Sequence, residues 1–92
     1  MSEAKSICVR IQGKVQGVFF RAATQQQANA LGLHGFTRNE LDGSVYIEAE
    51  GPADNLELFV RWCHQGPPQA TVHRVEVSEQ PSKGFHGFEV RR

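Results

Sequence analysis

The sequence predicts an α+β sandwich: a βαββαβ order with one extra short strand, giving a mainly antiparallel sheet of four to five strands with two helices on one face. Three observations predict it. Several short runs alternate apolar and polar residues, the period of a half-buried strand. Two other runs place apolar residues every three or four positions, the period of a helix with one buried stripe. Glycine, proline and an Asp-Gly pair punctuate the joints between these runs.

The first strand is Ile7, Val9 and Ile11 alternating with Cys8, Arg10 and Gln12. Residues 1–6 lack that pattern and are expected to form a flexible tail, leaving 7–92 as one domain. A connection with two glycines, Gly13-Lys14-Val15-Gln16-Gly17-Val18, leads into the first helix. Phe20, Ala23, Thr24, Gln27 and Leu31 fall on one helical face, and Gly32 is a natural C-terminal stop. Residues 36–39 read as a short strand, and Asp42-Gly43 is the strongest hairpin signal in the chain. Val45, Ile47 and Ala49 alternate beyond it. Gly51-Pro52 breaks that strand, and Asp54 lies where a helix cap or first-turn acid belongs. Leu56, Phe59, Val60 and Cys63 make the stripe of the second helix, which Gly66-Pro67-Pro68 ends. Val72, Val75 and Val77 mark a fourth strand, bulged where the spacing slips by one. Residues 85–90 read as the last short strand. This is the split βαβ, ferredoxin-like order. Such a fold hosts many unrelated activities, so function has to be argued from sites.

Composition narrows the classes. At 92 residues the chain holds one core. Ten basic residues balance ten acidic ones, which argues against coating nucleic acid or an anionic membrane. No apolar run approaches the roughly 20 residues that cross a bilayer, and the first six residues lack the apolar stretch of a signal peptide. A cytoplasmic location is expected. Cys8 and Cys63 sit in separate regular elements and read as two buried free thiols. No CxxC or HxxxH spacing suggests a metal, and the four histidines are scattered. Charge is better read by position: residues 4–39 carry five bases and no acid, whereas residues 40–57 carry six acids and no base. A neutral chain can therefore still hold a locally positive site.

The connection after the first strand is the place to look. Gly13 and Gly17 allow tight turning and close approach of a ligand, and the loop delivers its amides to a helix N-terminus, which favours an anion. Arg21 would add a charged, bidentate donor suited to phosphate or carboxylate. The P-loop pattern is absent, since Gly17 is followed by Val18 and Phe19. Read alone, such a loop can equally be a plain connection and Arg21 a solvated helix-start residue. Asn39 alone would be a turn-former beside the hairpin.

The whole run Ile11-Gln12-Gly13-Lys14-Val15-Gln16-Gly17-Val18-Phe19-Phe20-Arg21 resembles the first signature of the acylphosphatase family. Gly35-Phe36-Thr37-Arg38-Asn39, followed by Gly43, Val45 and Gly51, resembles the second. Thr37 departs from the family, which more usually has a small apolar residue there. The resemblance implies a hydrolase that cleaves the carboxyl–phosphate bond of acyl phosphates. By the same resemblance, Arg21 and the amides of Val15, Gln16, Gly17, Val18, Phe19 and Phe20 would hold the phosphoryl group, and Asn39 would orient the attacking water. It implies no metal and no organic cofactor, with inorganic phosphate as product and inhibitor. The residue types agree: a carboxylate is a good leaving group, and phosphoryl transfer depends mainly on positioning and charge stabilisation. Lys14 is expected to give general electrostatic support, and at least one of Phe19 and Phe20 to pack beneath the loop.

Two rivals stand beside this reading. A non-catalytic domain of the same fold could keep the loop as a phosphate sensor or regulatory module. An RNA-binding module shares the element order, and Lys83-Gly84-Phe85-His86-Gly87-Phe88 superficially matches its aromatic strand. The spacing there is off by one, the strand is the wrong one, and the chain is not basic. A monomer without nucleic-acid or membrane partners is therefore expected.

Overall fold

A five-stranded sheet in the order β4-β1-β3-β2-β5 forms one layer and two helices form the other. This computed structural model describes residues 3–92. Its elements are β1 (Ala4–Lys14), α1 (Phe20–Ala30), β2 (His34–Asn39), β3 (Val45–Pro52), α2 (Ala53–Gln65), β4 (Thr71–Gln80) and β5 (Phe88–Arg91). β3 pairs antiparallel with β1 and with β2, β4 pairs antiparallel with β1, and β5 pairs parallel with β2. The βαββαβ order with a short fifth strand is therefore the one the sequence predicts.

The strands form as their alternation dictates. Ile7, Val9 and Ile11 on β1 and Val45, Ile47 and Ala49 on β3 point to the helical side and are buried. β1 nevertheless begins at Ala4, ahead of the alternation: Ala4, Lys5 and Ser6, from the expected tail, pair with Pro52, Gly51 and Glu50. Met1 and Ser2 lie outside the described residues. β4 carries the expected irregularity, for the register slips between Gln12↔Arg74 and Gly13↔Val72, leaving His73 as the extra residue. Gly13 answers that bulge. Its φ is +137°, and a Cβ there would overlap the carbonyl oxygen of Thr71.

The buried stripe of α1 is Phe20, Thr24 and Ala28, one residue per turn, while Ala23 and Gln27 are only half-buried. On α2 it is Leu56, Phe59 and Cys63. Rings join the elements: Phe20 of α1 lies 5.5 Å from Trp62 of α2 within the helical layer, and Phe59 of α2 lies 6.3 Å from Phe88 of β5 across the two layers, centroid to centroid. Asn55 of α2 donates to the Leu31 carbonyl (2.9 Å), so the second helix caps the first just before Gly32 turns the chain. Cys63 is free and wholly buried, and burial pushes its thiol pKa up. Cys8, also free, is half-buried on the opposite face of the sheet.

Among the described residues no helix covers that opposite face. Its outer end is covered instead by residues 81–87, which is why β5 starts at Phe88 and not at Phe85. The Glu50 carboxylate accepts hydrogen bonds from three consecutive amides, those of Lys83, Gly84 and Phe85. Glu48 accepts from Lys83 Nζ (2.9 Å), Gln80 Nε2 (2.9 Å) and the Tyr46 hydroxyl (2.8 Å). Burial alone would raise both carboxyl pKa values. These donors outweigh burial and hold both below the ordinary carboxylate value.

Candidate active site

The strand directions place the sequence-predicted residues together. Ile11 of β1 and Asn39 of β2 are both register partners of Val45, so they stand level on either side of β3. The loop leaving β1 therefore starts near the end of β2. Val15 and Val18 are buried and pin the loop to the core, while Gly17 between them is exposed. Gly17 has φ +74° and open space where a Cβ would go, so its conformation, rather than crowding by protein atoms, is what calls for glycine there. The two loop glycines thus serve different ends: Gly13 the contact with β4, Gly17 the turn itself.

The loop ends at Phe19, the cap residue of α1, whose backbone is left-handed at φ 63°, ψ 23°. The Phe19 side chain makes no cap bond at this N-terminus, and the first turn contains no acid. The leading amides of α1 and the positive end of its dipole therefore face outward without an internal anion. Arg21 stands in that first turn, half-buried, and its Nη1 donates to the Arg91 carbonyl at 2.8 Å. This bond holds one edge of the guanidinium to β5 and leaves other N–H groups for a ligand.

Val15, Gly17, Phe19, Phe20, Arg21, Ala22, Asn39 and Val90 line a cleft of about 290 Å³. The structure so brings Arg21, Asn39 and the loop to one opening. Phe20 points inward, wholly packed, whereas Phe19 is 78% exposed. Lys14 is exposed and does not line the cleft. Asn39 Oδ1 is buried and has no hydrogen-bond partner among the described residues. Asn39 itself lines this opening, and an amide oxygen left without a protein partner keeps its capacity to accept a hydrogen bond. Thr37, two residues earlier on the same strand face, has a buried hydroxyl in the same condition.

Gln16 has a role its sequence position did not disclose. Its side-chain amide donates to the carbonyls of Glu40 (2.8 Å) and Ser44 (2.9 Å), clamping the loop to the β2–β3 hairpin beside Asn39. The hairpin itself is closed by Glu40 N–H to Ser44 O (2.9 Å) and by the Asp42 carboxylate, which accepts from the Ser44 amide and hydroxyl. Glu40, next to Asn39, is paired with Arg38 (3.3 Å) and Arg10 (3.6 Å). The contributions of Gln16's side chain and of the Arg91 carbonyl link residues far apart in the chain, and no local pattern marks either. Among the described residues no three of His, Cys, Asp and Glu are placed to hold a metal ion, and no helix is long and apolar enough to cross a membrane.

Known proteins share this sequence pattern and fold. The family model described as acylphosphatase matches residues 7–90. An acylphosphatase of Rubrobacter xylanophilus is 50% identical over 90 residues, 97% of this chain and 82% of the relative. The solved acylphosphatase of Coxiella burnetii superposes with a TM-score of 0.93 at 38% identity, covering 96% of this chain and 93% of that one. That of Bacillus subtilis gives 0.93 at 35% identity, covering 98% and 100%.

Proposed function

The chain belongs to the acylphosphatase family, and from that premise we propose how its residues divide the work of hydrolysing an acyl phosphate to carboxylate and phosphate. The amides of Val15, Gln16, Gly17, Val18, Phe19 and Phe20, with the Arg21 guanidinium, hold the phosphoryl oxygens. Asn39 holds the attacking water. The observation that carries this reading is the convergence on one cleft of Arg21, the start of α1 and Asn39, whose buried amide oxygen has no hydrogen-bond partner among the described residues.

The chemistry needs little else. The leaving carboxylate is stable without protonation, so no strong general acid is required. Charge on the transferring phosphoryl group spreads over its outer oxygens, where fixed N–H donors act without reorganising. Asn39 cannot take a proton at neutral pH, but its carbonyl can accept one hydrogen bond from water and fix the line of attack. A phosphoryl oxygen of the substrate takes the proton. The same reading has the protein act as a cytoplasmic monomer, without metal, nucleic acid or membrane, and has inorganic phosphate compete with substrate.

The test is benzoyl phosphate hydrolysis in EDTA by the wild type, Arg21→Gln and Asn39→Ala. Losing a preorganised donor to a developing oxyanion costs about 2.7–4 kcal/mol, on the order of 10²–10³ in kcat. Arg21→Gln is expected to lose turnover together with phosphate binding. Asn39→Ala is expected to bind phosphate as the wild type does and to fail in the chemical step. Near wild-type kcat in Asn39→Ala would remove the water-positioning role. A folded wild type that binds phosphate without turning over substrate would mark the site as a sensor.

A further inference from the structure

The rim of the cleft carries apolar surface that phosphate binding does not require. Among the described residues, Phe19 (78%), Leu41, Leu58, Val77 and Val90 (41%) are the large apolar side chains left exposed, and two of these five, Phe19 and Val90, line this cleft. They come from different elements, the loop and β5, around the polar centre made by Arg21 and Asn39.

Phe19 is also the one described residue other than glycine with a positive φ, at 63°. A bulky side chain in the left-handed region is uncommon, and glycine or asparagine is the residue such a position ordinarily takes. Its side chain makes no cap bond to α1. Fold stability therefore gains little from a phenylalanine here: the backbone carries the cost of the conformation, and the ring stays in water. What the conformation does achieve is to turn Phe20 into the core and leave the preceding ring at the mouth.

We propose that the Phe19 ring, with Val90, forms the subsite for the acyl half of the substrate and selects aromatic and other bulky apolar acyl groups over small ones. This rests on the reading that the cleft hydrolyses acyl phosphates. With the phosphoryl group at Arg21 and the loop amides, the acyl group extends toward the rim. There a flat apolar acyl group covers exposed ring surface that an acetyl group cannot reach. The Phe19 amide, by contrast, serves every substrate alike and survives any substitution except proline.

The experiment compares kcat/KM for benzoyl phosphate and acetyl phosphate in the wild type, Phe19→Gly, Phe19→Asn and Phe19→Tyr. The ratio of the two removes any effect on phosphoryl binding, since both substrates share that half. Both Phe19→Gly and Phe19→Asn suit a left-handed backbone and are expected to fold. In each, the benzoyl-to-acetyl ratio is expected to drop about three- to tenfold, the size of an aromatic contact. Phe19→Tyr keeps the ring and is expected to keep the ratio within about twofold of wild type on the same scale. A ratio unchanged in Phe19→Gly and Phe19→Asn would overturn the subsite. A wild type that hydrolyses neither compound would instead refute the underlying reading of the cleft.

Discussion

Gln16→Leu separates the assembly of the site from its chemistry. The substitution keeps the bulk of the side chain and deletes two hydrogen bonds, to Glu40 O at 2.8 Å and Ser44 O at 2.9 Å. Neither carbonyl is stranded, because Glu40 O still accepts from the Gly43 amide (3.1 Å) and Ser44 O from the Glu40 amide (2.9 Å). The stability cost is then that of two ordinary hydrogen bonds, about 1–3 kcal/mol in total, without a further desolvation penalty. The catalytic cost is larger in proportion. Asn39 is the last residue of β2, and the clamp fixes the hairpin that follows it to the loop proposed to hold the phosphoryl group. A displacement of the water relative to phosphorus by about 1 Å can cost on the order of 10²-fold, so a loss of about tenfold or more in kcat is expected. Arg21 and the loop amides are untouched, so inhibition by inorganic phosphate should change less than about threefold, within 0.7 kcal/mol. Urea unfolding and steady-state hydrolysis of benzoyl phosphate read both quantities. A lower unfolding midpoint with kcat within twofold of wild type would show that the clamp stabilises the fold without setting Asn39. Equal losses in kcat and phosphate affinity would place its action on the loop.

Two further predictions concern the frame around the site. Glu48 and Glu50 both titrate below their ordinary value of 4.5, so their contribution to stability is present above that pH and is lost as pH falls through the lower folded values. The urea midpoint should hold steady above about pH 6 and drop below about pH 4.5; Glu50→Gln, which sets an amide against the N–H groups of Lys83, Gly84 and Phe85, should cost about 1–3 kcal/mol at pH 7 and flatten that acid slope. An unchanged slope in the variant would mean that Glu50 is not a source of the pH dependence. Gly13→Ala, at φ +137° against the Thr71 carbonyl, should destabilise by about 1–3 kcal/mol, and a thermal midpoint equal to wild type would show that β4 yields at the bulge without cost.

How much of this was legible in the sequence depends on the range of the interaction. Period-2 and helical patterns located the sheet and both helices, because burial of one face acts on every second residue of a strand and every turn of a helix. The slipped valine spacing located the bulge for the same reason. Ala4, Lys5 and Ser6 escaped because backbone pairing with β3 needs no apolar side chain. The beginning of the last strand was misplaced because three amides that could have extended it bind Glu50, more than thirty residues earlier. At the site, Arg21 and Asn39 were legible through motifs that resemble a family, and the cleft brings them together. The Gln16 clamp and the Arg91 carbonyl were not, since each joins residues brought near only by the sheet.

The sheet order explains why a site made from so few side chains can be assembled at all. β1 and β2 both run antiparallel to β3, so they run parallel to each other, and β5 runs parallel to β2. Their carboxyl ends therefore lie at one edge of the sheet. From those three ends come the loop proposed to bind phosphate, Asn39 and the carbonyl of Arg91 that holds Arg21. β3, which enters from the same edge at Val45, holds two of them in register through a single residue paired with both Ile11 and Asn39. Rigid strands thus fix the relative positions that a reaction dependent on alignment demands, and α1 adds its dipole because it begins where the β1 loop ends. The side chain of Gln16 then has only one remaining freedom to remove, the motion of the hairpin against the loop, which is why a side chain that touches neither the phosphoryl group nor the water is expected to weigh on kcat.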